Sequence, residues 1–458
     1  MPSSKVYHKP WCNAPFVGID VKSADGSVGF CCVQEPKFSL DDYNNSAEEF
    51  WTSADAQRVR QDFIDGKWPS VCASCEYMER NGLDSDVSTF EQFTGDFKPN
   101  LITGSDDFKK PIYIDYRPDN LCNLACSHCT PGNSTKIEEI AKSDDKWKEI
   151  WPRSVENVAK ARELNIDTDK MFTEMVSDNT QIIKLLGGEP TINLKVQNSL
   201  QYCIDNGYAK NINLKVTTNF TNLNKTFKQF DHFKTIKINA SLDACGDTYN
   251  YIRYPGKWHN IRKNIEKHFD DTLHQPKHKF FINLCWMVNN AFTTKDWIPE
   301  LFELWFDVRL AKYKKAGITH KPGDWETGNI SKTGLINIIK TRGMGQDITA
   351  IPLELRKTVL KDLYDLKEQY KDYCANELFE FGVTDPLNVD DRKWHTAEFL
   401  IDQMIIQTED PTYDEYAHVQ WKKITKWYDQ AKGTDIHKLS PMFTKMMEWP
   451  TRDLKWPE

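Results

Sequence analysis

Apolar and polar positions in the middle of the chain fall into short strand-like runs separated by stretches whose apolar residues recur at helical spacing. The runs at 111–118, 182–186, 211–218, 235–242 and 279–288 read as strands, and segments such as KWHNIRKNIEKHF and WIPELFELWF read as helices. A sixth strand is expected near Ile318–His320. Alternating strands and helices argue for βα units around a parallel sheet. The interval from Asn133 to Asn179 is longer than one helix and its loop need, so two helices are expected there, covering the site or shaping its entrance. From about residue 300 onward, IPLELRKTVLKDLYDLKEQYKDY and the Trp-rich HVQWKKITKWYDQ have the pattern of surface-packed helices, expected to cap the sheet.

Composition narrows the class. A chain of 458 residues, 39% hydrophobic and 28% charged, has room for several structural units and excludes collagen-like, disordered and mucin-like proteins. Its net charge of -8 includes no long block of one sign, which disfavours nucleic acid as a partner. No apolar run reaches the roughly 18 residues of a membrane span, and MPSSKVYHKP lacks the apolar segment of a secretion signal, so a cytoplasmic location without a membrane partner is expected. A reducing compartment keeps thiols free. Eight of the 12 cysteines lie in the first 129 residues, mostly at short spacings, which makes metal or cluster ligation the leading reading.

In PIYIDYRPDNLCNLACSHCTPGNS, Cys122, Cys126 and Cys129 stand at C-x3-C-x2-C on a loop after a β-branched, aromatic-rich strand. Three thiolates hold three corners of a cubane iron–sulfur cluster and leave one iron open, whereas a closed site takes four ligands. The alternative is a zinc loop completed by His128 or a distant residue.

This spacing after a strand resembles the signature of the radical S-adenosylmethionine (radical SAM) family, in which the open iron is chelated by SAM. The resemblance extends downstream. IIKLLGGEP places Gly187, Gly188, Glu189 and Pro190 at the end of a buried strand, about 60 residues after the cysteines, like the family's GGEP motif, which binds the methionyl amino group. The glycines there permit close backbone approach to a ligand. In NINLKVTTNF and TIKINASLDACGD, the resemblance puts Thr218, Asn219, Ser241 and Asp243 near the ribose and methionyl parts of SAM, and Arg253 near its carboxylate or the substrate. Such short polar residues also simply cap strands and turns. The implied fold is α/β: a partial (β/α)6 barrel over 108–325, with a helical region over 326–458.

The N-terminal segment, 1–100, carries a second cysteine set. Cys12 precedes Gly26 by thirteen intervening residues, Cys31 follows after four, and WPSVCASC supplies Cys72 and Cys75. Four thiolates complete a cluster with no open iron, or a structural zinc ribbon. The order resembles the twitch module, a shorter relative of the SPASM domain, and so implies a second, auxiliary [4Fe–4S] cluster. Asn81 stands where the fuller SPASM set has a further cysteine. Cys31 is the expected ligand, and its neighbour Cys32 a spare thiol. N-terminal modules of this kind occur in uncharacterised twitch domain-containing radical SAM proteins, viral members among them. Cys203, Cys245, Cys285 and Cys374 read as isolated thiols.

The resemblance implies that a one-electron donor such as flavodoxin or ferredoxin reduces the three-cysteine cluster, SAM is cleaved to a 5'-deoxyadenosyl radical, and this abstracts a hydrogen atom from a substrate. Peptide or protein substrates stand slightly ahead, although only eleven residues precede Cys12, which weakens the precursor-peptide form. The alternatives are a small-molecule dehydrogenase or cofactor-biosynthesis enzyme, and a non-catalytic zinc- or cluster-stabilised binding protein.

Overall fold

The computed structural model describes residues 10–452 apart from 36, 81–84, 86, 88–109, 147–149, 224, 276, 309–310, 313–314, 318–335, 341–344 and 372–396. Alternation along the central strands separates two faces. Leu214, Val216, Ile236, Ile238 and Ala240 are fully buried, while Lys215, Lys237 and Asn239 between them are half-buried on the other side.

Among the described residues, nine strands form one sheet: β1 Gly18–Lys22, β2 Ser27–Gly29, β3 Phe38–Ser39, β4 Tyr113–Arg117, β5 Ile182–Leu185, β6 Asn213–Thr218, β7 Thr235–Ser241, β8 His278–Trp286 and β9 Ile336–Lys340. Their order is β3-β2-β1-β4-β5-β6-β7-β8-β9. Neighbours from β4 to β9 are parallel. With the helices between them, including Leu194–Asp205, Lys225–Phe230 and Trp258–Thr272, they make the expected partial (β/α)6 barrel. Helices cover the fully buried face: Tyr116 Oη donates to the carbonyl of Thr168 at 2.9 Å, and its ring lies 5.0 Å from that of Phe172.

The five central strands match the sequence reading, and three features depart from it. Ile318–His320 and Asn81 lie outside the described residues, as does Cys374; the sixth parallel strand is β9, past residue 325. Among the described residues, the interval from Asn133 to Asn179 holds three helices, Thr135–Ser143, Pro152–Glu163 and Thr168–Met175, the first and third started by Ser134 and Asp167, which each accept a backbone N–H. Finally, the N-terminal segment shares the barrel's sheet. β1 pairs in parallel with β4, Gly18 against Tyr113 through Lys22 against Arg117, and β2 and β3 add antiparallel beyond it. Gly26, at φ +70°, makes the turn between β1 and β2.

The C-terminal region is helical as expected: Leu353–Gln369, Ala397–Thr408, Glu415–Lys432 and Pro441–Glu448. It is tied to the end of β8. The indole of Trp286 donates to Thr408 at 3.1 Å and that of Trp421 to Asn289 at 2.8 Å. Among the described residues, no helix is long and apolar enough to cross a membrane.

Candidate active site

Every chemistry-bearing segment of the barrel leaves the C-terminal end of a parallel strand, where ligands of such folds bind. The loop after β4 is held in place by its backbone. Ala125 N–H donates to the carbonyl of Tyr254 at 2.6 Å, Ser127 N–H to that of Ile252 at 2.8 Å, and the hydroxyls of Ser134 and Thr135 donate to the carbonyls of Leu124 and Cys122. Cys122 and Cys126 are thereby buried side by side, with Cys129 packed against them. Burial and the neighbouring thiols push Cys122 up to about 12 and raise Cys129; burial also raises Cys126. Three thiols gathered in a dry pocket ionise readily only when a cationic centre takes them as ligands. This donor set fits three corners of an iron–sulfur cluster.

Gly187 and Gly188 serve a close approach, but to the chain itself. Both have positive φ, +76° and +54°, and a Cβ on Gly188 would stand 2.2 Å from the carbonyl oxygen of Leu121. The next amide, of Glu189, donates to that same carbonyl at 2.7 Å, so the GGEP turn is locked against the residue before Cys122. The Glu189 side chain is buried and turned inward. It accepts from Thr191 N–H and hydroxyl, the Thr218 hydroxyl at 2.7 Å and Asn219 N–H at 2.6 Å. Pro190 opens the short turn that follows. Glu189 and Thr218 therefore brace the ends of β5 and β6 together.

Asn219 reaches the cysteines: its amide contacts Cys122 Sγ at 3.9 Å and donates to Asn123 at 2.9 Å. After β7, Asp243 adopts φ +65° and forms a buried pair with Arg253 at 2.6 Å. Arg253 also extends to Cys126 Sγ at 3.9 Å. Although burial works against it, the guanidinium holds the Asp243 carboxyl below the usual range. His128 lies 3.5 Å from Asp243, turned to that carboxylate, and burial lowers its basicity. Ser241, the last residue of β7, is half-buried at the same strand end. The structure thus brings Cys122, Cys126, Cys129, Asn219, Asp243 and Arg253 into one constellation; Glu189 and Thr218 support it from behind.

Sequence reasoning missed the contribution of the C-terminal helix Glu415–Lys432. Lys432 is buried beside Cys126, Asp429 and Cys129, and its ammonium sits 4.0 Å from the Tyr428 ring centre; burial lowers it to about 7. Asn289 ties the same helix to the loop by donating to the Ser127 hydroxyl at 3.0 Å while accepting from Trp421. Lys432 ends an ordinary amphipathic pattern, so no local signal marks it.

The N-terminal cysteines converge independently. Cys12, Cys31, Cys72 and Cys75 line one apolar cavity with Phe30, Trp68 and other side chains. Burial pushes Cys31 and Cys72 up to about 12, and Cys12 is raised also. Four thiols around one apolar cavity fit a fully ligated cluster. Cys32 is exposed and lies elsewhere, among Lys184, Asp115, Asp20 and Arg117. The cavity is thus lined by Cys31 and not by its neighbour Cys32.

Residues 12–76, which span all four of these cysteines, match the SPASM family, an iron–sulfur cluster-binding domain. This segment is similar to iron–sulfur modules of the SPASM type. The SPASM match ends well before the barrel. Solved structures similar to part of the chain include Streptococcus suis SuiB bound to precursor peptide SuiA, at 16% identity over 70% of this chain and 60% of that one, with a TM-score of 0.31. Native anSMEcpe with bound AdoMet is similar at 14% identity over 58% of this chain and 62% of that one, with a TM-score of 0.31. The chain thus spans about three fifths of the length of these two structures. No curated protein matches it.

Proposed function

We propose that the protein is a radical SAM enzyme with an auxiliary cluster in its SPASM module, the module lying within residues 1–100 and the barrel beginning near 108. Cys122, Cys126 and Cys129 would hold a [4Fe–4S] cluster with one open iron, and Cys12, Cys31, Cys72 and Cys75 a second, closed one. When bound, the open cluster supplies one-electron cleavage of SAM to methionine and a 5'-deoxyadenosyl radical that takes a hydrogen atom from the substrate. The chain's own groups orient and enclose. The backbone of Gly187, Gly188, Glu189 and Pro190, with Thr218, Asn219, Ser241, Asp243 and Arg253, would position SAM. Arg253 and Lys432 set positive charge beside the thiolates, and Tyr428 and Trp421 on the C-terminal helix help keep water out.

What carries this reading is the convergence of the three thiols with Asn219 and Arg253 from two other strand ends. An external one-electron donor such as flavodoxin or ferredoxin would reduce the cluster. The substrate is read first as a peptide or protein, second as a small molecule undergoing dehydrogenation or used in cofactor biosynthesis.

The test is 5'-deoxyadenosine formation by the anaerobically reconstituted protein with SAM and dithionite, beside Cys126→Ala. Product from the wild type alone supports the assignment; equal product from the variant overturns it. Stoichiometric zinc, in place of about eight irons per chain, would favour the non-catalytic binding protein.

A further inference from the structure

β1 and β4 lie side by side and parallel, yet the chain leaves them in opposite directions. From β1 it turns back to β2 on one side, and from β4 it crosses to β5 on the other. Loops that diverge in this way open a crevice beyond the carboxyl ends of the two strands, where open α/β sheets take ligands. A cleft of about 220 Å³ lies there. Ser23 and Ala24, which follow β1, line it together with Pro118 and Asp119, which follow β4. The helix Pro152–Glu163 and the segment after it supply the far wall, with Arg162 and Asn165, and Lys195 comes from the helix after β5. None of these residues belongs to the cysteine constellation.

The lining has hydrogen bonds left to make. The Ser23 hydroxyl is buried and has no hydrogen-bond partner among the described residues. The Lys195 ammonium stands 3.6 Å from Asp119 Oδ2, too far for a direct hydrogen bond. The other oxygen, Asp119 Oδ1, already accepts from Leu121 N–H at 2.9 Å and from the Asn193 amide at 2.6 Å, which leaves Oδ2 turned to Lys195 with acceptor capacity to spare. Arg162 and Lys142 both pair with Glu138. The ion pairs that border the cleft therefore bring three cations, Arg162, Lys142 and Lys195, to two carboxylates, Glu138 and Asp119. One positive charge is in surplus, and a monoanion matches it. The cleft has room for roughly seven waters, or for one small polar molecule in their place. A carboxylate can take the Lys195 ammonium and the Ser23 hydroxyl as charge-assisted donors, and a hydroxyl beside it can donate to Asp119 Oδ2.

We propose that this cleft is a binding site for a small hydroxylated monocarboxylate, seated between Ser23, Asn165 and Lys195. Its occupant bridges the turn after β1, in the SPASM module, and the segment Pro118–Leu121 that leads into Cys122. The site stands on the topology and on its own lining, and it is independent of the radical SAM reading.

The test uses the full chain with clusters reconstituted and D-gluconate and L-lactate as probes, with sorbitol as an uncharged counterpart. Calorimetry at millimolar concentrations should show one site per chain for at least one of the two acids, weakened by added KCl, and that acid should raise the melting temperature. Lys195→Met, on the exposed rim, should bind it at least tenfold more weakly, and Ser23→Ala several-fold more weakly. Asn165→Asp should abolish binding, because it sets a negative charge in the cleft; Asn165 has φ +48°, a conformation that Asp also tolerates, so this variant should fold. Lys160→Met, on the exposed surface, should bind as the wild type does. Circular dichroism checks the folding of each variant, and Lys195→Met alone decides the case if the others do not fold. No binding of either acid, sorbitol binding as tightly as gluconate, or unchanged binding in Lys195→Met overturns the proposal. 5'-Deoxyadenosine formation is scored separately: acid binding without SAM cleavage sinks the radical SAM reading and leaves the site, and cleavage without acid binding sinks the site alone.

Discussion

Arg253 stands 2.6 Å from Asp243, and each is almost wholly buried. The pair is the hinge between the end of β7 and the cysteine loop, since Arg253 also touches Cys126 and Asp243 accepts from the backbone N–H of Cys285 at 2.9 Å. Removing one partner of a buried ion pair leaves the other charge uncompensated, at a cost of about 3–5 kcal/mol. Asp243→Asn should therefore lower the melting temperature by several degrees, and Arg253→Met/Asp243→Leu should lower it less than Asp243→Asn does. Equal losses would mean that the two residues do not act as a pair.

Two glycines of the same handedness separate strain from collision. Gly188 and Gly207 both have positive φ, but a Cβ on Gly188 meets the Leu121 carbonyl, whereas Gly207 faces open space. Gly207→Ala should cost about 1 kcal/mol, for backbone strain alone. Gly188→Ala should cost clearly more and reduce iron loading of the three-cysteine loop, read by iron analysis and the electron paramagnetic resonance of the reduced protein. Matching losses would argue against the lock between Glu189 and Leu121.

Adjacent Cys31 and Cys32 should behave in opposite ways. Cys31→Ser removes a thiol from the SPASM cavity and should cut the iron content from about eight to about four per chain. Cys32→Ser should leave it unchanged, because Cys32 lies among Lys184, Asp115, Asp20 and Arg117. Loss of iron from the second variant alone would reverse the ligand assignment.

Lys215 predicts a pH dependence of stability with a definite sign. Lys215, between Lys184 and Lys237 and over Tyr113, is lowered in the folded protein from 10.5 to about 6. The unfolded chain thus holds a proton there that the folded chain does not. Stability contributed by this group should rise with pH from about 6 to about 10. Lys215→Met should flatten that slope, measured as melting temperature at pH 7 and pH 9. An unchanged slope would place Lys215 in water.

The parts of this structure that local pattern encodes were legible in the chain. Alternation in NLKVTT and TIKINAS marks β6 and β7, and the spacings of Cys122, Cys126 and Cys129 mark the loop that the structure buries. What escaped depends on contacts between distant positions. Nothing near Gly18 states that β1 will pair with β4, nothing near Lys432 that it will lie beside Cys126, and each inward lysine looks alone until register sets it beside the next. β9 follows a long interval, and its five residues carry no motif to place it.

The pairing of Gly18–Lys22 with Tyr113–Arg117 also fixes an order of events during synthesis. β1 leaves the ribosome nearly a hundred residues before its parallel partner, and at about 5–20 residues per second it waits some seconds with one edge bare. Until β4 arrives, only the hairpin partner β2 shields it, on the other edge. Trimming the gene to the barrel would move that bare edge permanently onto β4, inviting association between chains. The module and the barrel are therefore one unit of expression, and any trimmed version should begin before β1.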